Sequence, residues 1–170
     1  IRPGVKEDLQ QLKKLGVKNL VVLSGDNQGT VDLVARELGL TEAHGHMLPE
    51  DKSAYIKALQ ERGQIVAFVG DGVNDSPSLA LAQIGIAMGS GTDVAIETSD
   101  VVLMNSDFSR LPHALGLTKA TANNMLQNII IAVGVVLVLL ASVFFSEWMN
   151  MSIGMLVHEA SILAVILNAM

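Results

Sequence analysis

Gly70-Asp71-Gly72-Val73-Asn74-Asp75 follows the apolar run Ile65-Val66-Ala67-Phe68-Val69 and precedes Ser76-Pro77. The apolar run reads as a buried strand and the Ser-Pro pair as a helix start. Two carboxylates, Asp71 and Asp75, are thereby set on a glycine-hinged turn at the carboxyl end of a strand, where open α/β sheets bind ligands. Acids four residues apart, with Gly70 and Gly72 freeing the backbone, suit a hard cation such as Mg²⁺, which is commonly held by one or two carboxylates together with phosphate.

Outward from this turn, short apolar runs alternate with helical patterns. Val5 to Leu15 carries Val5, Leu9, Leu12 and Leu15 on one helical face and stops at Gly16. Asn19–Leu23, a short run near Ala43–Met47, Ile65–Val69, Ile84–Met88 and Val101–Met104 read as strands. Helices are expected over Thr30–Leu38, Lys52–Arg62 and Ser78–Ala82, with Gly39 and Gly63 as the first two stops. Continuous apolar strands alternating with helices indicate a parallel sheet covered on both faces.

The chain has 170 residues and a formal net charge of −6. The acidic balance argues against nucleic acid as a partner. Cysteine is absent, so disulfides and thiolate metal sites within this chain are excluded. Apolar character is concentrated at the C-terminal end. Ala120 to Ser146 holds no charged residue, and Met151 to Met170 holds only His158 and Glu159 as ionisable groups. A hydrocarbon core needs about 20 apolar residues per helix, so both runs are transmembrane expectations, with membrane lipid as their surroundings. No apolar N-terminal run marks a secretory signal.

A helix is expected to run without a breaker from Ser109 into the first span, and Ser146–Asn150 to close a hairpin. Four parts follow: 1–108 as a partial phosphorylation-type domain, 109–127 as a stalk, and 128–146 and 151–170 as spans. Arg110 and Lys119 lie on the side of the soluble part, whereas the connection carries only Glu147, so the positive-inside bias places the soluble part in the cytoplasm. Ile1 is not an initiator methionine and Met170 falls within an apolar run. The chain therefore reads as part of a longer membrane protein.

Three pieces suited to phosphate stand at strand ends or helix starts. Ser24-Gly25-Asp26, after Leu20-Val21-Val22-Leu23, offers a hydroxyl and backbone amides. Lys52, after Pro49-Glu50-Asp51, adds an ammonium to a helix N-terminus, which stabilises an anion. Gly70 to Asp75 is the Mg²⁺ piece. Each alone is a common structural device: a turn, a solvated lysine, a hairpin. Their order and shared place at strand ends favour the chemistry of phosphoryl transfer, which needs a hydroxyl, a cation and a metal site around its nucleophile.

Ser24-Gly25-Asp26, Pro49-Glu50-Asp51-Lys52 and Gly70-Asp71-Gly72-Val73-Asn74-Asp75-Ser76-Pro77, followed by Leu79-Ala80, resemble the later motifs of the haloacid-dehalogenase-like phosphorylation domain of P-type ATPases. The family's usual residue at Ser24 is threonine, so the hydroxyl is kept. The resemblance covers the whole chain as the second half of that domain plus the last two membrane helices. It implies that Asp71 coordinates Mg²⁺, that Asp75 and Asn74 support that site, and that Lys52 contacts the phosphoryl group. Ser24, Gly25, Asp26, Gly70 and Gly72 would border ATP and phosphate. The family's Asp-Lys-Thr-Gly motif, nucleotide-binding domain and Thr-Gly-Glu loop do not occur in the sequence, so the chain alone is not expected to hydrolyse ATP. The nucleophile aspartate would come from the remaining domains of the same pump.

Two helices after the phosphorylation domain resemble the heavy-metal branch. His158-Glu159 lies about 10 Å along a helix from Met151, at a depth where ionisable pairs are expensive. Imidazole and carboxylate suit Zn²⁺, Co²⁺ or Fe²⁺ better than Cu⁺. The cobalt/iron-type subgroup has His-Glu-Gly-Gly-Thr, whereas this chain reads His158-Glu159-Ala160-Ser161-Ile162. The zinc/cadmium subgroup's lysine in the preceding helix and its aspartate in the last are both missing, with Gly134-Val135-Val136 where the lysine is expected, and the copper Tyr-Asn and Met-Ser-Ser signals are missing too. A hydrogen-bonding pair between helices is the competing reading of His158-Glu159. His44-x-His46 reads as solvated or structural, and Met149, Met151 and Met155 as gap-fillers. Gly89-Ser90-Gly91-Thr92 lacks the downstream Gly-Lys of a phosphate loop and reads as a turn beside the site. The expectation is an ATP-driven divalent metal transporter (zinc, cadmium, cobalt or iron) of the cell membrane, acting through an aspartyl phosphate. A membrane-anchored phosphatase of the same superfamily and an inert segment are the alternatives.

Overall fold

The computed structural model describes residues 3–145 and 151–169; the expected connection Ser146–Asn150 lies outside the described residues. In chain order the elements are α1 (Val5–Lys14), β1 (Val21–Leu23), α2 (Gln28–Leu38), β2 (Glu42–His44), α3 (Pro49–Glu61), β3 (Ala67–Gly70), α4 (Ser76–Leu81), β4 (Ile84–Met88), α5 (Asp93–Thr98), β5 (Val101–Leu103), α6 (Arg110–Phe145) and α7 (Met151–Ala169). Single 3₁₀ turns occupy Val73–Asp75 and Met104–Ser106. Residues 1–115 and 116–170 form two compact units.

All strand pairs in the first unit are parallel, as the uninterrupted apolar runs require. They fall into two sheets, β1-β2 and β3-β4-β5, rather than one. The registers pair Leu23 with His44, Gly70 with Ala87 and Met88 with Leu103. Among the described residues no strand pairs with the second edge of β1 or of β3. Each of these open edges ends at a phosphate-type turn.

Helix ends follow the chemistry of their residues. Asn27 Oδ1 accepts the Thr30 N–H at 2.9 Å and starts α2 two residues before the expected Thr30. Asp51 Oδ2 accepts the Leu48 N–H at 2.9 Å and, with Pro49 at the first position, starts α3 three residues early. Lys52 therefore sits in the first turn rather than at its edge. Gly16, Gly39 and Gly63 adopt φ of 97°, 69° and 75° after α1, α2 and α3, the left-handed stop that glycine allows. The short α5 is absent from the sequence expectation. It forms because Thr92 Oγ1 accepts the Ala95 N–H at 3.3 Å.

The hydrophobic contacts lie between helices and strands. Leu9, Leu12 and Leu20 pack with Val5, Val17, Leu38, Leu40, Phe108, Leu111 and Leu115. Ile56 of α3, Leu79 of α4 and Ala87 of β4 are buried, so α4 is held between α3 and the sheet. Ser53 Oγ lies 3.3 Å from Ser78 Oγ at the α3–α4 contact.

Tyr55 is the sole tyrosine and gives this region a direct probe. Its hydroxyl donates to Glu42 Oε2 at 2.7 Å, and His44 Nε2 lies 3.3 Å from the same oxygen. Burial first, then the Glu42 bond, pushes the Tyr55 hydroxyl up to about 12. The Tyr55 bond, followed by that of His44, lowers the Glu42 carboxyl. The Tyr55 contribution to stability is thus present below its ordinary value of about 10 and lost as pH rises through about 12. The Glu42 contribution is present above the ordinary glutamate range and lost as pH falls through the lowered value. Phenolate absorbance should titrate near 12, and Glu42→Gln should lower the midpoint in part, because burial, the larger cause, remains. A wild-type midpoint near about 10 would show that neither the burial nor the bond persists in solution.

In the second unit, α6 and α7 are long and apolar enough to cross a membrane, with mean hydropathy of 2.4 and 1.6 in their most apolar stretches. The β-branched run Ile129-Ile130-Ile131 stays helical. In hydrocarbon a helix satisfies every backbone group within its own segment. The helix shows no break at 127–128, where stalk and span were expected to divide. Half-buried Asn124, Asn128, Ile131 and Val135 of α6, and Val157, Ser161, Val165 and Asn168 of α7, recur at helical spacing. Asn168 Nδ2 donates across this seam to Asn128 Oδ1 at 2.8 Å and Asn124 Oδ1 at 2.9 Å.

Candidate functional site

The first two phosphate-type pieces meet through backbone. Leu23 ends β1, and the Ser24 N–H continues the ladder by donating to His44 O at 2.9 Å. Ser24 Oγ donates to Asp26 Oδ2 at 3.0 Å and accepts the Asp26 N–H at 3.2 Å, which closes the turn on itself. The Met47 N–H donates to Ser24 O at 2.9 Å, and the His46 N–H to Asp26 O at 2.7 Å. The segment leading into α3 is therefore fastened to the Ser24-Gly25-Asp26 turn. His46 takes a φ of 55° in this loop. His44 pairs with Glu42, and its ring centroid lies 4.9 Å from that of Tyr55 with the ring planes tilted by 51°.

The second and third pieces meet through side chains. Lys52 Nζ donates to Asp75 Oδ1 at 2.8 Å, with the two side chains 14% and 15% exposed. Solvent screens such a pair only in part. Gly70 ends β3 directly beside Asp75. A Cβ built on Gly70 would stand 2.7 Å from Asp75 Cβ, so only glycine admits the carboxylate at this place. Asp71 and Asn74 are exposed on the turn. The Asp75 N–H donates to Gly72 O at 3.0 Å and forms the 3₁₀ turn that leads into α4. Ser76 Oγ is buried without a hydrogen-bond partner among the described residues.

The loop after β4, expected as a turn beside the site, is bonded to the acid turn through its backbone. The Thr92 N–H donates to Asp71 O at 3.0 Å, and the Gly91 N–H to Met88 O at 2.7 Å. A Cβ on Gly91 would lie 2.8 Å from both Asp71 O and Met88 O. The glycines of this loop were the only available signal, since a backbone amide carries no residue identity.

His158 and Glu159 lie in the other unit. His158 lines a shallow apolar groove with Ala132, Val136, Ser161 and Ile162, about 220 Å³ in volume. Ser161 Oγ donates to His158 O at 2.6 Å. Among the described residues no group of three or more His, Cys, Asp or Glu side chains is gathered that could hold a metal ion. The pair thus supplies part of a ligand set at most.

Residues 1–83 match the family model for haloacid dehalogenase-like hydrolases. The cadmium-transporting ATPase of Staphylococcus aureus is 40% identical over 171 residues, covering 100% of this chain and 23% of that protein. The zinc-transporting ATPase of Bacillus subtilis is 40% identical over 170 residues, covering 100% of this chain and 26% of that protein. This chain thus spans about a quarter of these relatives. The crystal structure of a zinc-transporting PIB-type ATPase in the E2.Pi state superposes with a TM-score of 0.85 at 36% identity, covering 99% of this chain and 27% of that one. With a haloacid dehalogenase-like match over residues 1–83 and two membrane-type helices, the chain is similar along its whole length to heavy-metal-transporting P-type ATPases.

Proposed function

We propose that this chain forms the Mg²⁺- and phosphate-facing wall of an ATP-driven divalent metal pump, together with two of its membrane helices. The observation that carries this reading is the Lys52–Asp75 pair at 2.8 Å, set beside Gly70 and next to the exposed Asp71. A cation and two carboxylates stand at the end of one strand, the place where α/β sheets bind ligands.

The donor set fits Mg²⁺, which takes one or two carboxylates and fills its remaining positions with water and phosphate oxygens. Asp71 would hold the ion directly, with Asp75 and Asn74 in support. When bound, Mg²⁺ neutralises charge on the transferring phosphoryl group. Lys52 has a different task. Held by Asp75, its ammonium is kept in place for phosphoryl oxygens and needs no reorganisation during reaction. Ser24 offers its hydroxyl on the opposite turn. Ser24, Gly25, Asp26, Gly70 and Gly72 border the space that ATP's phosphates and the aspartyl phosphate would enter.

The nucleophile aspartate belongs in this reading to the remaining domains. The unpaired edges of β1 and β3 support it. Each is an edge on which a further parallel strand from those domains would find pairing groups. The soluble unit faces the cytoplasm, and the helices lie in the cell membrane. The extent of similarity to metal pumps, which runs through α6 and α7, favours a transporter over a membrane-anchored phosphatase.

His158 and Glu159 are assigned to the transported ion. In the intact pump, His158→Ala and Glu159→Ala should each lower metal-stimulated ATPase activity by about tenfold or more, the scale on which losing a metal ligand or its partner acts. Mg²⁺-dependent nucleotide binding should stay unchanged. Full metal stimulation in both variants would remove the ligand assignment and leave a helix–helix contact.

A further inference from the structure

The loop Gly89-Ser90-Gly91-Thr92 touches two places that the proposed reaction must connect. At its far end the Thr92 N–H holds Asp71 O at 3.0 Å. A Cβ on Gly91 would meet Asp71 O at 2.8 Å, so loop and turn are in backbone contact. At its near end the Gly89 N–H donates to Leu103 O at 2.8 Å. A Cβ on Gly89 would meet Leu103 O at 2.8 Å, Asn105 N at 3.0 Å and Met104 Cα at 3.1 Å. This second contact is the segment from which α6 starts. Asn105 is held there in a left-handed conformation, φ 60° and ψ 15°. Asp107 Oδ1 accepts the Ser109 N–H at 3.1 Å and opens the helix.

Four residues thus lie between the acid turn and the root of a helix that continues as a membrane-type span. Backbone contacts at both ends leave little slack, because packed interiors deform in discrete steps rather than continuously. We propose that Gly89–Thr92 is a positioning element that couples the Asp71 turn to the root of α6. Gly91 and Thr92 form its end on Asp71, and Gly89 with Asn105 its end on α6. None needs to touch phosphate. The inference rests on the proposed pump function and adds the route by which the state of the Asp71 turn reaches α6. A demonstrated two-state response at both ends is the physical evidence such coupling requires.

Gly89→Ala drives a methyl carbon into the Leu103–Asn105 backbone while leaving Asp71, Lys52 and Asp75 untouched. Asn105→Ala removes the side chain that tolerates the left-handed root and adds no bulk, so it serves where Gly89→Ala does not fold. Both are made in the full-length pump, reconstituted in proteoliposomes. Phosphorylation from ATP at saturating Mg²⁺ should stay within about twofold of wild type, while ions transported per ATP fall by about tenfold for Gly89→Ala and a few-fold for Asn105→Ala. Hydrogen exchange adds a readout that scaffolding alone would not move. On addition of Mg²⁺ with beryllium fluoride, protection should change together in 89–92 and 103–109 of wild type, and only in 89–92 of the variants.

Unchanged stoichiometry in Asn105→Ala, or equal losses of phosphorylation and transport, would overturn the coupling role. So would exchange at 103–109 that ignores the phosphate analogue. A wild-type pump that forms no phosphoenzyme would instead overturn the proposed function, which keeps the two failures apart.

Discussion

Lys52→Ala and Asp75→Asn, each made in the intact protein, should on the proposed function lower phosphorylation from ATP by about 100-fold or more, the scale set by removing one preorganised charge from a transition-state site. The two losses arise differently. Lys52→Ala removes the ammonium that the proposed function assigns to phosphoryl oxygens. Asp75→Asn leaves that ammonium without the carboxylate that holds it at 2.8 Å, and it also weakens the support of Asp71. Stability separates these effects from simple unfolding. The pair is 14% and 15% exposed, so loss of one partner should cost about 1–3 kcal/mol, between the values for exposed and fully buried pairs. The double variant removes both charges and should recover much of that stability, because no uncompensated ion remains. Phosphorylation should stay as low as in the single variants. Thermal unfolding and phosphoenzyme yield, measured on all three proteins, decide the matter. A double variant that regains activity would show that the pair is structural alone.

The parts of the candidate site that were legible in the sequence are those carried by side chains at strand ends and helix starts. Asp71, Asp75 and Lys52 could be placed because carboxylates and a lysine after apolar runs have a recognisable chemistry. The Lys52–Asp75 contact joins residues 23 apart in sequence, and periodicity cannot supply such a contact. The parallel strands other than β2, which is Glu42-Ala43-His44, were legible as continuous apolar runs. Their separation into two sheets was not, because an apolar run does not name its hydrogen-bonding neighbour. The early starts of α2 and α3 escaped a reading based on apolar spacing. Asn27 and Asp51 act through single cap bonds at polar positions. The hold of Thr92 on Asp71 is a bond between backbone atoms, and only the glycines around it left a trace. His158 and Glu159 were visible as charges in an apolar helix, yet the remaining ligands of an ion site are not gathered among the described residues.

Gly85→Ala should be the most damaging single methyl group in the first unit, although it lies outside the acid turn. Gly85 is buried in β4, opposite Phe68 of β3. A Cβ there would stand 2.5 Å from Leu79 O and 3.2 Å from Leu79 C. These are backbone atoms of α4, so no rotamer change relieves the clash. Leu79 is only 1% exposed and cannot retreat outward without opening the α3–α4 contact. The strand cannot shift either. Asp100 Oδ2 accepts the Gly85 N–H at 2.7 Å, and the Asp100 N–H donates to Gly85 O at 2.8 Å. Overpacking of this kind costs about 3 kcal/mol, at the upper end of its usual range. For a chain of this size that lowers the unfolding midpoint by roughly 6–12 °C. The site should fail with it, since α4 begins at Ser76, directly after Asp75, and its displacement moves the carboxylate that holds Lys52. Gly29→Ala is the matched control. Gly29 lies within α2, and its Cβ would sit 3.5 Å from Asn27 Oδ1, an ordinary contact. Alanine should there stabilise by about 0.5 kcal/mol through the smaller backbone entropy of the unfolded chain. Opposite shifts of the two midpoints in detergent-solubilised protein are the expected result. Equal midpoints for Gly85→Ala and wild type would show that α4 does not pack on β4 as closely as the 2.5 Å approach requires.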